Sequence, residues 1–308
     1  MRILILGAGA IGGYYGMHLA QAGADVTFLV RPKRAEILAR DGLVLHSGGE
    51  VLRHMVPTVL AEEIRAPFDL VLLTCKAFDL ESAMEAIAPA VGPGTAVLPI
   101  LNGMAHFDAL DSRFGRERVL GGVCYIATML AEDGSIRHTS PGDTILFGDR
   151  DGQDSPRAEM LARAFGGSRV NASQTGEIVQ ALWEKWTMIA AAAALTSLLR
   201  GTVGEIMATS TGLATAEGVM AEAQGIADGL GHAPRQPALD QMRRQLTDPA
   251  SRWAASMMRD IEQNARRLEV DHIIGDLIRR GAEAGVAAPL LGAANAQLQI
   301  YNTRRAAA

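Results

Sequence analysis

At 308 residues the chain exceeds what one hydrophobic core usually serves, about 250–300 residues, so two domains are expected. Hydrophobic residues at 48% and charged residues at 20% exclude wholesale disorder. A net charge of −5 without a basic block offers nothing to attract nucleic acid or an anionic membrane.

The opening run Ile3-Leu4-Ile5-Leu6 shows no alternation and reads as a short strand buried on both faces. It ends in Gly7-Ala8-Gly9-Ala10-Ile11-Gly12, spaced G-x-G-x-x-G, and a helical run follows from Ile11 to about Gln21. In such a unit Gly7 permits the tight turn, Gly9 lets a pyrophosphate approach the backbone, and Gly12 lets the helix lie close to the strand. The helix N-terminus adds N–H donors and a positive dipole end. These glycines also interrupt the apolar start too early for a signal peptide. After Gly23 a second strand, 26–30, ends at Arg31, followed by Pro32, Lys33 and Arg34. Proteins that prefer NAD place an acidic residue here to take the ribose hydroxyls; the nearest acid, Asp25, precedes the strand at its far end. Three cations suit a 2′-phosphate, so NADPH/NADP is the expected cofactor. The other reading is a solvated basic turn at the head of a helix over 33–40.

Extended segments follow at 42–46 and about 51–60, around the polar turn Ser47-Gly48-Gly49. A buried strand over 68–74 ends at Cys75-Lys76, a helix covers about 80–88, and a strand over 96–101 ends at Asn102-Gly103. This alternation is that of a doubly wound parallel sheet. Two strand-like segments, 119–130 and 136–147, flank Asp133-Gly134, a hairpin signal. A loop from Asp149 to Pro156 leads to a helix over about 157–165, and Arg169-Val170 closes the domain. From Glu177 onward the period is helical, with turns at Gly201, Gly229-Leu230-Gly231, Asp248-Pro249 and Gly285 separating about five or six helices. The alanine run 190–194 reads as a close-packed helix. The expected fold is therefore α/β, with a Rossmann-type NADP-binding domain over 1–171 and an all-helical domain over 172–308. The longest apolar stretch, 188–195, is far short of the roughly 20 residues of a membrane span. Cys75 and Cys124 lie outside any metal-ligand spacing; both read as buried small hydrophobes, which suits a reducing cytoplasm. No metal is expected.

Ligands in such sheets bind beyond the carboxyl ends of the strands, where the glycine loop, Arg31, Lys76 and Asn102 gather. For Lys76 or Asn102 alone a solvated loop position is the commoner case. Together at one mouth they point to function, and Asn102 offers a donor and an acceptor to a carboxamide or keto acid. In the helical part Leu182-Trp183-Glu184-Lys185-Trp186 sets a lysine between tryptophans, where desolvation would ease release of its proton. The competing reading is a lysine stem lying on the tryptophans with its charge in water. Ser256 and Glu269 read by default as parts of a polar helix face.

These segments together resemble the ketopantoate reductase (2-dehydropantoate 2-reductase) family over essentially the whole chain. The resemblance is carried by the stretch from Gly7 to Gly13, Thr74-Cys75-Lys76-Ala77, Leu101-Asn102-Gly103-Met104 and Leu182-Trp183-Glu184-Lys185, joined by Ser256-Met257-Met258-Arg259-Asp260-Ile261 and by Glu269-Val270-Asp271 with Gly275 after it. It implies an N-terminal NADPH-binding domain, a C-terminal helical domain, and reduction of a 2-keto acid by hydride transfer. It implies Lys185 and Glu269 as catalytic residues, Lys185 protonating the developing alkoxide and Glu269 holding the substrate hydroxyl. Cofactor contacts are implied for Gly7, Ala8, Gly9, Ala10, Ile11, Gly12, Lys76 and Asn102, alongside Arg31. Substrate contacts are implied for Asn102, Lys185 and Ser256. A cation beside the ketone oxygen stabilises the charge that hydride addition creates.

The chain also departs from the family. Asparagines expected after the lysine are replaced by Ile189, Ala193 and Val203; Lys185, Ile189 and Ala193 are spaced four apart and share one helix stripe. Trp253 replaces a polar residue, and the interval from Ser256 to Glu269 is one residue longer than the family's. A site that loses its amide donors loses discrimination for a hydroxylated acid. The leading reading is an NADPH-dependent 2-keto-acid reductase, ketopantoate being one candidate and a bulkier or more apolar acid another. An imine or opine-type reductase and a non-catalytic NADP-sensing module are the alternatives. Alanine-rich helix faces would serve a homodimer or an internal core equally.

Overall fold

The computed structural model describes residues 1–153 and 155–307. Asp154, within the expected loop from Asp149 to Pro156, and Ala308, at the end of the expected second domain, lie outside the described residues. The chain divides into two compact units, Met1–Leu101 with His106–Val179, and Asn102–Ala105 with Gln180–Ala308.

The first unit runs β1 (Arg2–Leu6), α1 (Ala10–Gln21), β2 (Asp25–Leu29), α2 (Pro32–Asp41), β3 (Leu43–Ser47), β4 (Glu50–His54), β5 (Thr58–Val59), β6 (Leu70–Leu73), α3 (Leu80–Ile87), β7 (Ala96–Pro99), α4 (Ala105–Phe114), β8 (Gly121–Tyr125), β9 (Thr128–Leu130), β10 (Ile136–His138), β11 (Thr144–Gly148), α5 (Pro156–Gly166) and β12 (Ala172–Gln174). A five-stranded parallel sheet takes the order β5-β2-β1-β6-β7, in register Leu6↔Leu29 and Leu6↔Leu73. The chain leaves β1 toward β2 on one side and returns to β6 on the other. The carboxyl end of β1 is thus the switch point where such sheets open a crevice.

Helix α1 is buried from Gly12 to Leu19 because it is covered on two sides. A Cβ on Gly16 would lie 2.7 Å from Ile5 Cδ1 in β1, and one on Gly13 would collide with Ile136 of β10. Its glycines admit a helix between the parallel sheet and a second sheet of order β4-β3-β10-β9.

The two segments at 119–130 and 136–147 do not form one hairpin. Each breaks in the middle: β9 and β10 pair antiparallel around Asp133-Gly134, while β8 and β11 pair antiparallel in a separate three-stranded sheet, β12-β11-β8. The sequence Ser140-Pro141-Gly142 explains one break, since proline cannot donate to a ladder. Strand β12 pairs with β11, so 172–174, expected in the helical domain, is strand. Helix α4 has no counterpart in the sequence reading, because its three buried positions, His106, Phe107 and Leu110, make too weak a period. Asp25, expected ahead of the second strand, is its first residue. Cys124 is buried as expected, but Cys75 is only half-buried.

The second unit is helical: α6 (Ile178–Leu199), α7 (Val203–Met207), α8 (Gly212–Gly229), α9 (Gln236–Leu246), α10 (Ser256–Glu262), α11 (Asp276–Glu283) and α12 (Pro289–Ala306), with a π-helical turn at Asp271–Gly275. The breaks at 208–211 and 263–270 add helices that the glycine and proline signals did not mark. Ala190 to Ala194 are all buried in α6, as close-packed helix requires. Glu222 of α8 accepts from the N–H groups of Leu290 and Leu291 at 2.9 Å each, satisfying the start of α12.

His18 of α1 is 5% exposed, its Nε2 lacks a hydrogen-bond partner among the described residues, and its ring meets Tyr14 edge-on at 4.7 Å. Burial holds its pKa below the ordinary imidazole value; Asp143 opposes that, and Arg169 and His138 reinforce it. The unfolded chain therefore binds this proton at higher pH than the folded one, and stability falls as pH drops through about 6.5. The thermal midpoint is expected to fall between about pH 7 and pH 5, and less so in His18→Gln. Equal falls in both proteins contradict this.

Candidate functional site

In the first unit, Gly7 stands at φ +91° and donates its N–H to the Leu29 carbonyl at 2.9 Å. That conformation favours glycine. A Cβ on Gly12 would press on the Gly7 carbonyl and lie 2.5 Å from Thr74 Oγ1, which itself donates to the Leu6 carbonyl at 2.9 Å. The chain itself thus requires Gly7 and Gly12. Gly9 differs: its φ is −86° and an added Cβ would meet nothing within 4 Å among the described residues. A glycine with open space above it, at the N-cap of a helix with no acid in its first turn, fits close approach by an anionic ligand. The N–H groups of the first turn lack partners within the helix and supply the donors.

Around this loop the structure sorts the cations. Arg31 follows β2, its side chain 82% exposed, with Nη2 3.7 Å from Asp79. Lys33 is exposed as well. Arg34 is not an open cation: its guanidinium bonds the carbonyls of Ala8 and Gly134. Lys76 is exposed and caps the short helical turn Ala77–Asp79 that follows β6. Asp25 stands at the opposite end of β2 from these groups.

The second unit brings together three other sequence-predicted residues through their immediate neighbours. Lys185 is half-buried in the third turn of α6. Next to it Trp186 is 1% exposed and donates its indole N–H to the Ile273 carbonyl at 2.9 Å, inside the π-helical turn. Gly103, beside Asn102, stands at φ +83°, and a Cβ there would lie 2.5 Å from the His272 carbonyl in that same turn. The turn begins two residues after Glu269. Asn102, Lys185 and Glu269 therefore sit on three segments tied to one stretch of backbone. π-Helical turns recur at functional sites.

Glu269 is not on a helix face, contrary to its default reading. It is half-buried in an irregular approach to that turn, clamped by α12: Asn302 accepts from Leu268 N at 2.9 Å and donates to Leu268 O at 3.1 Å, and Tyr301 donates to Ala265 O at 2.8 Å. Gln299 bonds Asp271 at 2.8 Å on the far side. Ser256 is exposed at the first position of α10. Glu184 is engaged by Arg235 through Nε and Nη2 at 2.7 and 2.9 Å and by Gln180 at 3.2 Å. Burial raises its carboxyl pKa, but these bonds outweigh burial and hold it below the ordinary value.

Of the apolar replacements, Ile189 is half-buried one turn beyond Lys185, whereas Ala193 and Val203 are 3% and 0% exposed. The stripe next to the lysine thus offers hydrocarbon through Ile189, and the other two belong to the core. Trp253 is half-buried. The bracing by Asn302 and the Ala8 contact of Arg34 escaped the sequence reading, because both partners are backbone groups distant in the chain and leave no motif. Among the described residues no helix is long and apolar enough to cross a membrane, and no group of three or more acidic, His or Cys side chains could hold a metal.

The family model described as ketopantoate reductase PanE/ApbA matches residues 3–152, and that for the C terminal of ketopantoate reductase PanE/ApbA matches 177–302. The uncharacterized oxidoreductase YkpB of Bacillus subtilis (strain 168) is 36% identical, over 99% of this chain and 100% of that protein. The crystal structure of 2-dehydropantoate 2-reductase from Geobacter metallireducens GS-15 matches with a TM-score of 0.88 and 32% identity, covering 97% and 99% of the two chains. D-mandelate dehydrogenase, solved with NADH and anilino(oxo)acetate, shares the fold at a TM-score of 0.87 and 24% identity, covering 99% of each chain.

Replacing Asn302 by Leu keeps the branching at Cγ but leaves both backbone groups of Leu268 without a partner. The expected cost is about 1–3 kcal/mol in urea unfolding, with a smaller loss for Asn302→Asp, which keeps the acceptor. Unchanged stability in Asn302→Leu contradicts the clamp.

Proposed function

The chain belongs to the ketopantoate reductase family, and from that premise we propose that it reduces the ketone of a 2-keto acid with NADPH. What carries the reading is the tying of Asn102, Lys185 and Glu269, through Gly103, Trp186 and the turn Asp271–Gly275, to one stretch of backbone. Three polar groups of complementary chemistry on braced segments are what a reaction at a carbonyl needs.

In this reading the loop 7–12 receives the pyrophosphate on its N–H groups, with the open side of Gly9 admitting it. Arg31 and Lys33 meet the 2′-phosphate, since β2 runs on into Val30 and Arg31 and not into an acid that would take a ribose hydroxyl. Lys76 and Asn102 complete the cofactor contacts. The bound nicotinamide supplies a hydride to the keto carbon. Lys185 hydrogen-bonds the ketone oxygen, offsets the charge that develops there and delivers the proton. Glu269 accepts a hydrogen bond from the nascent hydroxyl and orients it, and Ser256 binds the substrate carboxylate.

The substrate is an acid with an apolar side chain. Ile189, half-buried one turn from Lys185, presents a methylated surface where an amide would bond the hydroxyl of ketopantoate. A site without such a donor gives a hydroxylated acid no advantage over hydrocarbon.

Consumption of NADPH over a panel of 2-keto acids tests this. Branched aliphatic or aromatic acids are expected to give higher kcat/KM than ketopantoate, and Ile189→Asn to shift the preference toward ketopantoate. Lys185→Ala is expected to lower kcat by about 10²–10⁴-fold with NADPH affinity retained. Strong preference for ketopantoate overturns the substrate class. NADPH binding without turnover of any keto acid favours a nucleotide sensor.

A further inference from the structure

The run from Arg31 to Arg34 reads in sequence as three equivalent cations for a 2′-phosphate, and the structure makes one of them something else. Arg34 Nε and Nη2 both donate to the carbonyl of Ala8, at 3.1 and 2.7 Å, and Nη1 donates to the carbonyl of Gly134 at 2.9 Å. Ala8 is 2% exposed and is the middle residue of the dinucleotide loop's first turn. In a trans peptide the C=O and the following N–H point in opposite directions. By gripping the Ala8 carbonyl, the guanidinium therefore fixes where the Gly9 N–H points: away from Arg34. Without that grip, the Ala8–Gly9 peptide lies between the permissive Gly9 and the turn at Gly7, where a plane can rotate at little steric cost.

The other end of the brace is shaped for it. Gly134, at φ +82°, leaves room where a Cβ would lie 2.7 Å from Arg34 Nη1. The tip of the β9–β10 hairpin is held by Asp133, whose Oδ1 accepts from Ser135 N at 2.9 Å and from Ser135 Oγ at 2.6 Å. An anchored hairpin thus holds a guanidinium, which holds the loop peptide. The planar fork of arginine serves two carbonyls at once, which a lysine ammonium cannot reproduce in the same geometry.

We propose that Arg34 is a positioning residue for the dinucleotide loop, acting through the Ala8–Gly9 peptide, and not a ligand of the 2′-phosphate. This rests on reading the loop 7–12 as the nucleotide site. The phosphate is left to the exposed Arg31 and Lys33.

The test is titration of NADPH and of NADH into the full chain, followed by nicotinamide fluorescence, for the unmodified protein, Arg34→Met, Arg34→Lys, Gly134→Ala and Arg31→Ala. Arg34→Met is expected to weaken both nucleotides by about the same factor, on the order of tenfold, with the ratio of the two affinities unchanged. Arg34→Lys is expected to recover part of the loss. Gly134→Ala, which keeps the charge and disturbs only the anchor, is expected to weaken both in parallel and serves if Arg34→Met does not fold. Arg31→Ala is expected to weaken NADPH alone. A loss confined to NADPH in Arg34→Met makes Arg34 a phosphate ligand and overturns the proposal. Unchanged affinities alongside a lowered thermal midpoint reduce it to a brace for the hairpin, which also overturns it. An unmodified protein that binds neither nucleotide removes the loop reading and Arg34's role with it, a result distinct from either.

Discussion

The closeness of α1 to β1 is the constraint on which the first unit depends. A methyl group at Gly12 would press on the Gly7 carbonyl and crowd Thr74 Oγ1, and one at Gly16 would enter the space of Ile5 and Phe28. Only a helix with a bare face can start directly over the end of the strand. That start aims its first-turn N–H groups at the crevice where the parallel sheet reverses its order. The opposite face, bare at Gly13, accepts Ile136 of the second sheet. The same glycines that read as a nucleotide motif are thus structural requirements of a helix covered on two sides. Gly9 alone is left without an internal reason, and it is the one beneath the open space.

The second unit solves a different problem, that of holding an acidic side chain still outside regular structure. Glu269 lies between a stretch clamped by Tyr301 and Asn302 and a π-helical turn held by Trp186. Loops normally carry the most mobile groups of a fold. Here each neighbouring backbone segment has a side-chain partner on a long helix, α6 or α12. Glu184, the acid adjacent to Lys185, is drawn off by Arg235.

Much of this was legible in the sequence, and for identifiable reasons. Buried parallel strands announce themselves as unbroken apolar runs, so β1, β2, β6 and β7 stood out, and the glycine spacing located the crevice. The alanine run in α6 was legible because small side chains permit only a packed role. The ribbon from β8 to β11 was not, because its two halves belong to different sheets and local alternation carries no record of sheet membership. Helix α4 lacked enough buried positions to show a period. At the candidate site the residue types were readable, but their partners were not: Arg34 finds Ala8 and Gly134, and Asn302 finds Leu268, through carbonyls that any residue possesses. Burial separated Ile189 from Ala193 and Val203, a distinction that helix spacing alone does not make.

The proposed reaction moves a hydride from a nicotinamide to a keto carbon. Its most direct measurement is mass spectrometry of the product formed from NADPH carrying deuterium at both C4 positions, with an apolar 2-keto acid in ordinary water. The expected product is a 2-hydroxy acid bearing one deuterium on C2, with no deuterium on C2 when the label is moved to the solvent. A product labelled at C2 from the solvent, or no hydroxy acid at all, contradicts it.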